Sequence, residues 1–319
     1  MFKNKNIFIA GGNGFIGSNL IKRLSSMGAN IKSTKHNNSP KITGKNIEYV
    51  KVDLTDAKQY PGLLDGMDYV FMCAANTSGA SVMEKTPLVH VTPNIIMNTL
   101  MLKAAYAANV KKFMFVSSNT VYPVSESHVK EEEAVYGSFF HKYFCVAWMK
   151  RFSEVLCEMY STKITNPMVT IIVRPANAFG EYDDFNWETS HVIPALIRKV
   201  VERQNPIEVW GDGNDLKDFI YIEDLIDGMI LAMDKIETFD CINIGSGNGY
   251  TIKDILNDIV ELDGYSNPDI IFDSSKPTMI PKRLIDVSKA KDILDWEYKV
   301  CIKEGLRKTI KWYKENRLK

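Results

Sequence analysis

Asn6-Ile7-Phe8-Ile9-Ala10-Gly11-Gly12-Asn13-Gly14-Phe15-Ile16-Gly17-Ser18 carries a short apolar run into a glycine cluster and then into a helical pattern. Gly11, Gly14 and Gly17 match Gly-x-x-Gly-x-x-Gly. In a strand–turn–helix unit the first glycine permits a tight turn and the second lets backbone N–H groups approach a pyrophosphate. The third lets helix and strand pack closely. The helix N-terminus adds partial positive charge for the phosphates, with Phe15 and Ile16 in its first turn. A Gly-Lys-Ser/Thr phosphate loop is excluded, because Ser18 follows Gly17 directly.

Further short apolar runs read as strands at Asn30–Thr34, Ile47–Val52, Tyr69–Ala74, Lys112–Ser117 and Val169–Val173. Segments of 3.6-residue periodicity separate them, at Ile16–Met27, Asn94–Ala108 and Val146–Tyr160. This alternation predicts a mostly parallel sheet with helices on both faces. After about Pro175 loops lengthen (Phe179–Ser190, Gly211–Lys217, Ser274–Arg283) around helical patterns at Ser190–Arg203 and Thr251–Glu261. Residues 1–175 are therefore expected to form a dinucleotide-binding unit. Residues 176–319 are expected to form mainly a smaller mixed α/β unit, with some segments returning to the first. The tail Ile302–Lys319 reads as an amphipathic docking helix.

The 319 residues suit one large or two modest folding units at roughly 150 residues per domain. Lysine plus arginine equals aspartate plus glutamate, 39 against 39, so no basic excess favours nucleic acid or a membrane surface. The five cysteines are scattered without a Cys-x-x-Cys pair, which argues against a disulfide framework or structural zinc. No apolar run approaches the roughly 18 residues of a spanning helix. Ile7–Ala10 is too short for the apolar core of a signal peptide. A cytoplasmic location is the expectation.

At the end of the second strand, where NAD-binding proteins offer Asp or Glu to the ribose, stands Ser33-Thr34-Lys35-His36. Lys35 could meet a 2′-phosphate, or be a solvated charge, and Asn13 adds no second cation; NAD(H) and NADP(H) stay equally open. Asp53, ending the third strand, is a candidate for the adenine edge.

Gly-Gly-x-Gly-Phe-Ile-Gly, Asp53-Leu54, Ala74-Ala75, Asn94, Val116-Ser117-Ser118, Val121-Tyr122, Arg174-Pro175-x-Asn177 and Gly180 together resemble the extended short-chain dehydrogenase/reductases. These are the NAD(P)-dependent nucleotide-sugar epimerases, dehydratases and reductases. The resemblance implies a Rossmann-type doubly wound parallel sheet with a smaller substrate-binding domain, and a place in polysaccharide biosynthesis. It implies cofactor contacts from Gly11, Gly14, Phe15, Ile16, Gly17, Asp53, Leu54, Ala74, Ala75, Lys150 and Pro175. It also implies a homodimer in which the helices around Asn94–Ala108 and Val146–Tyr160 form a four-helix interface.

The second half is most similar to GDP-fucose synthases. Ser190-His191-Val192-Ile193-Pro194-Ala195-Leu196 carries a histidine at an acid/base position, and Ser275-Lys276-Pro277 with Pro281-Lys282-Arg283 resembles a nucleotide-sugar loop. Lys217-Asp218-Phe219 places lysine where arginine is usual, so a bidentate phosphate grip is lost. Asn177, His191, Lys217, Lys282 and Arg283 are the implied substrate contacts.

The family's catalytic signature is Tyr-x-x-x-Lys, whose spacing puts both side chains on one helix face. With Lys150 as the lysine, the tyrosine position is Val146, which cannot exchange protons. Tyr143 lies about 10.5 Å from Lys150 along the axis, at 1.5 Å per residue, and fits a packing role better; Tyr136 is a weaker loop candidate. Ser118, Thr120 and His191 remain beside Lys150 as catalytic candidates.

Hydride transfer at C4 of a nucleotide sugar, with GDP favoured, is the resulting expectation, as a dehydrogenase or ketoreductase. A 4-epimerase or 4,6-dehydratase is the alternative, and a non-catalytic cofactor-binding regulatory or assembly protein the alternative of another class. No metal is expected.

Overall fold

The computed structural model describes residues 1–36, 39–76, 86, 88–134, 139–276 and 278–317. Tyr136, Pro277 and Lys319 lie outside the described residues. In chain order the first half holds β1 (Asn6–Ala10), α1 (Phe15–Ser26), β2 (Asn30–Lys35), β3 (Ile47–Lys51), β4 (Tyr69–Met72), α2 (Leu88–Ala107), β5 (Lys112–Val116), α3 (Phe144–Thr162) and β6 (Val169–Pro175). There follow β7 (Asn177–Phe179), α4 (Val192–Val201), β8 (Ile207–Trp210), β9 (Leu216–Lys217), β10 (Phe219–Tyr221), α5 (Ile222–Lys235) and β11 (Asp240–Ile244). The chain closes with β12 (Tyr250–Thr251), α6 (Ile252–Asp263), β13 (Ile270–Asp273), β14 (Lys282–Arg283), α7 (Ser288–Leu294) and α8 (Ile302–Arg317).

Among the described residues the main sheet has seven parallel strands in the order β3-β2-β1-β4-β5-β6-β11. Reversal of strand order between β1 and β4 opens a crevice at their carboxyl ends, the place where doubly wound Rossmann sheets bind nucleotides. Side chains alternate across the sheet. Ile7 and Ile9 join Leu20, Ile21 and Leu24 of α1 and Met229 and Met233 of α5 in one core. Phe8 and Ala10 face the other way, onto Met101, Leu102 and Ala105 of α2 and Cys157 of α3. Complete burial of a side chain such as Phe8 contributes about 1.5–3 kcal/mol. β11 reaches the sheet edge from beyond β7–β10, and α5 packs on α1.

Three expectations are corrected. The helix expected from Asn94 begins at Leu88, with Pro93 inside it. Proline removes the N–H that would bond the carbonyl four residues back; that carbonyl, of Val89, instead accepts Asn76 Nδ2 at 3.1 Å. The loop Gly211–Lys217 ends in β9, and the loop Ser274–Arg283 ends in β14. These two-residue strands pair with each other in parallel, and β12 pairs antiparallel to β9. Elsewhere β13 pairs with β8 and β10 with β7. The helix expected over Thr251–Glu261 is α6, stopped by Gly264 in the left-handed region at φ +68° and opened by a Thr251–Asp254 capping box.

Among the described residues no helix is long and apolar enough to cross a membrane. The cysteines are free thiols, and burial raises Cys73 and Cys241 to a pKa of about 12.

Candidate active site

The three glycines of the opening loop have three different reasons to lack a side chain. Gly11 has φ +83°, and a Cβ on it would stand 2.6 Å from Ala74 Cα. A Cβ on Gly17 would stand 2.2 Å from Gly11 O. At Gly14 the backbone is ordinary, φ −75°, and an added Cβ would meet only Gly11 O, at 3.2 Å. The space beyond Gly14 is therefore kept open for something other than protein. α1 starts there with no side-chain cap and no acidic residue in its first turn, so its N-terminal N–H groups and dipole face that space. This cradle fits a dinucleotide pyrophosphate.

Side chains missing from the sequence reading support the loop. Gly12 also excludes a Cβ, which would fall 1.9 Å from Ser33 Oγ. Ser33 donates to Ile9 O at 2.8 Å, and Thr34 Oγ1 accepts the Gly11 N–H at 2.8 Å. Two adjacent buried hydroxyls near the end of β2 are the available signal. Lys35 ends β2 beside Lys51 of β3. Asn13 donates to Ser39 O and accepts from Lys41 N, while Lys41 Nζ reaches Tyr182 O at 3.1 Å. Asp53 is exposed, and its Oδ1 accepts both the N–H and the hydroxyl of Thr55, which lower its pKa. Leu54 is buried. Asn94 braces the loop after Ala74-Ala75, accepting Asn76 N–H at 2.8 Å and donating to Asn76 O at 2.9 Å.

Across the crevice α3 presents Lys150. Its Nζ donates to Val116 O at 2.8 Å and lies 4.9 Å from the centre of the Phe115 ring. Burial brings its pKa down to about 8, against the upward pull of Glu154. Val146 precedes it by one turn on the same helix. Ser118 and Thr120 sit in the turn that follows β5, hydroxyl against hydroxyl at 3.0 Å. Tyr143 caps α3 and turns toward Ile280 and Arg283; burial pushes its phenol up to about 12. It is not Lys150's partner. His191 is the N-cap of α4, open to water but surrounded by protein that lowers its pKa, with Asp184 pulling the other way. Among the described residues no hydrogen bond links His191 to Ser118, Thr120 or Lys150.

Beneath this pair of hydroxyls runs a buried polar hub that sequence spacing could not reveal. Ser117 donates to Glu154 Oε1 at 2.5 Å. Arg174 grips the same carboxylate with two bonds, at 2.9 and 2.8 Å, and Arg151 adds a third cationic contact. Burial alone would raise Glu154, but Arg174 holds it below the usual range. Arg174 also donates to Tyr122 OH at 3.1 Å and Glu131 O at 2.7 Å, and Tyr122 donates to Asn243 Oδ1 at 2.5 Å. The hub therefore fixes both ends of the segment Ser117–Tyr122.

On the second half of the chain Asn177 Nδ2 donates to Asp218 O at 2.9 Å. Burial raises Asp218 to about 6 while its carboxylate accepts from Ser246 and Gly247. Lys217 binds Ile280 O and lies 3.4 Å from Asp215, and Arg283, 2% exposed, donates to Pro123 O and Tyr122 O. Arg283 Nε has no partner among the described residues. Lys282 stands apart at the surface, 3.4 Å from Glu126. Lys217, Asp218 and Arg283 are thus brought together with Tyr143; Lys282 is not among them.

The model of the NAD dependent epimerase/dehydratase family matches residues 7–245. A probable GDP-L-fucose synthase of Oryza sativa is 31% identical over 325 residues, covering 98% of this chain and 93% of its own. A UDP-N-acetyl-alpha-D-glucosaminuronate decarboxylase of Bacillus cytotoxicus is 30% identical over 328 residues, covering 98% of both. The solved UDP-N-acetylglucosamine 4-epimerase of Methanobrevibacter ruminantium superposes with a TM-score of 0.86 at 26% identity, covering 98% of this chain and 99% of that one. The likeness to GDP-L-fucose synthases runs through the whole chain, which corrects its assignment to the second half.

Proposed function

The chain belongs to the NAD dependent epimerase/dehydratase family, a group of nucleotide-sugar enzymes, and on that premise we propose that it transfers hydride at C4 of a GDP-linked sugar without a tyrosine phenol. One observation supports the mechanism: Lys150 is buried on α3 with its Nζ on Val116 O, at the end of the strand that leads to Ser118, and Val146 stands one turn before it where the resemblance expects a tyrosine. The GDP preference rests on relatives named as GDP-L-fucose synthases, at 31% and 29% identity over 98% of the chain. Residues 1–175 would hold the cofactor and 176–319 mainly the nucleotide sugar.

Gly11, Gly14, Phe15, Ile16 and Gly17 would cradle the pyrophosphate. Asp53, Leu54, Ala74, Ala75 and Pro175 would line the rest of the cofactor site, and Lys150 would take the nicotinamide ribose. When bound, the cofactor supplies hydride exchange with carbon. The chain supplies hydrogen-bond donors. Ser118 Oγ already accepts the N–H and the hydroxyl of Thr120, so its own hydrogen is left for a sugar oxygen. Below about pH 8 Lys150 is an ammonium, another donor. Donors facing the reacting oxygen polarise a ketone, which favours ketoreductase working over alcohol oxidation at neutral pH. A 4-epimerase or 4,6-dehydratase is the alternative within the family, and UDP the alternative nucleotide. Asn177, Lys217, Arg283 and Lys282 would meet the nucleotide sugar, with His191 at the sugar end.

Incubating the purified protein with GDP- and UDP-linked sugars and 4-keto sugars, with NAD(H) and NADP(H) in turn, tests the proposal. The reduced-nicotinamide absorbance should change with a GDP-linked substrate; change with UDP-linked substrates alone would transfer the reading to UDP. Lys35→Asp should weaken NADP(H) binding about tenfold or more and shift preference toward NAD(H), if Lys35 meets the 2′-phosphate. Equal affinities before and after, by calorimetry, would leave Lys35 as a surface charge.

The outer faces of α2 and α3 expose Leu88, Val89, Ile96, Phe144, Phe152 and Met159. Contiguous exposed apolar surface favours association, and a second copy packing these helices is the expected partner. Sedimentation at micromolar concentration should show a dimer. A stable monomer would contradict it.

A further inference from the structure

Resting on the oxidoreductase reading above, we infer that Thr120 acts through Ser118 as a two-hydroxyl proton relay that replaces the phenol missing at position 146. Ser118 Oγ accepts the Thr120 N–H at 3.2 Å and the Thr120 hydroxyl at 3.0 Å. The first of these bonds alone caps the turn Asn119–Val121. The second is not needed for the cap, and it orders two hydroxyl hydrogens in one direction, from Thr120 to Ser118 and onward. Both residues are half-buried, and in the relay Ser118 would meet the substrate oxygen and Thr120 would exchange its proton with water.

The turn is held from both ends. Ser117 is bonded to Glu154, and Tyr122 to Arg174 and Asn243. α3 packs against the same turn, which brings the Val146 helix beside the hydroxyl pair. The other described groups offered by the sequence are placed elsewhere: Tyr143 faces Ile280 and Arg283, and His191 makes no bond to the pair. Serine, threonine and sugar hydroxyls are acids of similar strength, so proton passage among them is close to balanced, and the pair serves to conduct a proton between the sugar oxygen and water rather than to store one.

In ketone reduction the steps balance as follows. With hydride that a bound reduced nicotinamide dinucleotide would supply, the carbonyl carbon would gain its new C–H bond as the π bond to oxygen opens. The carbonyl oxygen takes the Ser118 proton, Ser118 takes the Thr120 proton, and Thr120 is reprotonated by water. One hydride and one solvent proton are consumed. Alcohol oxidation runs the same chain backward.

The test uses the full-length protein with a GDP-linked 4-keto hexose and reads single-turnover rates in mixtures of H2O and D2O. Wild type should show a curved dependence on deuterium fraction, because several protons move together. Thr120→Val should slow the reaction about 10²-fold and straighten the curve. Thr120→Ser should restore both. The urea midpoint and GDP affinity of Thr120→Val should match wild type, since its N–H cap remains. A Thr120→Val enzyme with unchanged rate and curvature would overturn the relay, as would a Tyr136→Phe or His191→Asn variant that alone removed the curvature. Wild type that binds GDP and cofactor but turns over no nucleotide sugar would overturn the functional reading and the relay with it; turnover with a silent Thr120→Val overturns the relay alone.

Discussion

Gly14→Val should abolish cofactor binding while leaving the fold standing. The position has φ −75° and ψ 176°, backbone angles that valine adopts, and its Cβ would press on Gly11 O alone, at 3.2 Å, a contact that a shift of a few tenths of an ångström relieves. The two methyl groups would instead project into the space in front of the uncapped N-terminus of α1. A pyrophosphate there would lose its approach to the backbone N–H groups. Calorimetric titration with NAD(H) and NADP(H) should show no binding, and the thermal unfolding curve should move little. Gly17→Val is the contrast: its Cβ would fall 2.2 Å from Gly11 O, so the packing of α1 on β1 should itself fail. Undiminished cofactor binding by Gly14→Val would remove the glycine loop from the cofactor site.

Arg174→Met should cost about 3–5 kcal/mol of stability, because it leaves the buried Glu154 carboxylate short of its main partner. Glu154 is 1% exposed, and Arg174 provides two of its bonds. The same substitution frees Tyr122 and Glu131 O from their donor, so the segment carrying Ser118 should loosen as well. Replacing both charges with apolar groups, Glu154→Leu with Arg174→Met, should recover much of the loss, since a buried ion pair is often no more stabilising than well-packed hydrocarbon. Urea denaturation of the three variants makes the comparison. A single variant losing less than about 1 kcal/mol would show that Arg151 alone balances Glu154.

The glycine loop and the strands were readable, because a parallel strand buried on both faces is a continuous apolar run such as Ile7–Ala10, and positive φ at Gly11 requires glycine. Lys150 and Val146 stand out only through the resemblance, whose Tyr-x-x-x-Lys signature falls on them. The hub was not, since Ser117, Tyr122, Glu154, Arg174 and Asn243 meet only through the packing of α3 on the sheet. The start of α2 at Leu88 is not legible, because proline is a poor helix-interior residue and nothing local shows that Asn76 will serve the Val89 carbonyl that Pro93 frees. β9 and β14 read as loop in the sequence, because two residues are too few to show alternation.

The central claim is hydride transfer at C4 of a nucleotide sugar, and deuterium labelling tests it most directly. A GDP-linked 4-keto hexose incubated with the protein and deuterated reduced cofactor should yield a product carrying deuterium at C4, seen by NMR as loss of the C4 proton signal and of its couplings. Deuterium at any other sugar carbon, or its retention on the cofactor while the protein binds both ligands, would contradict the account.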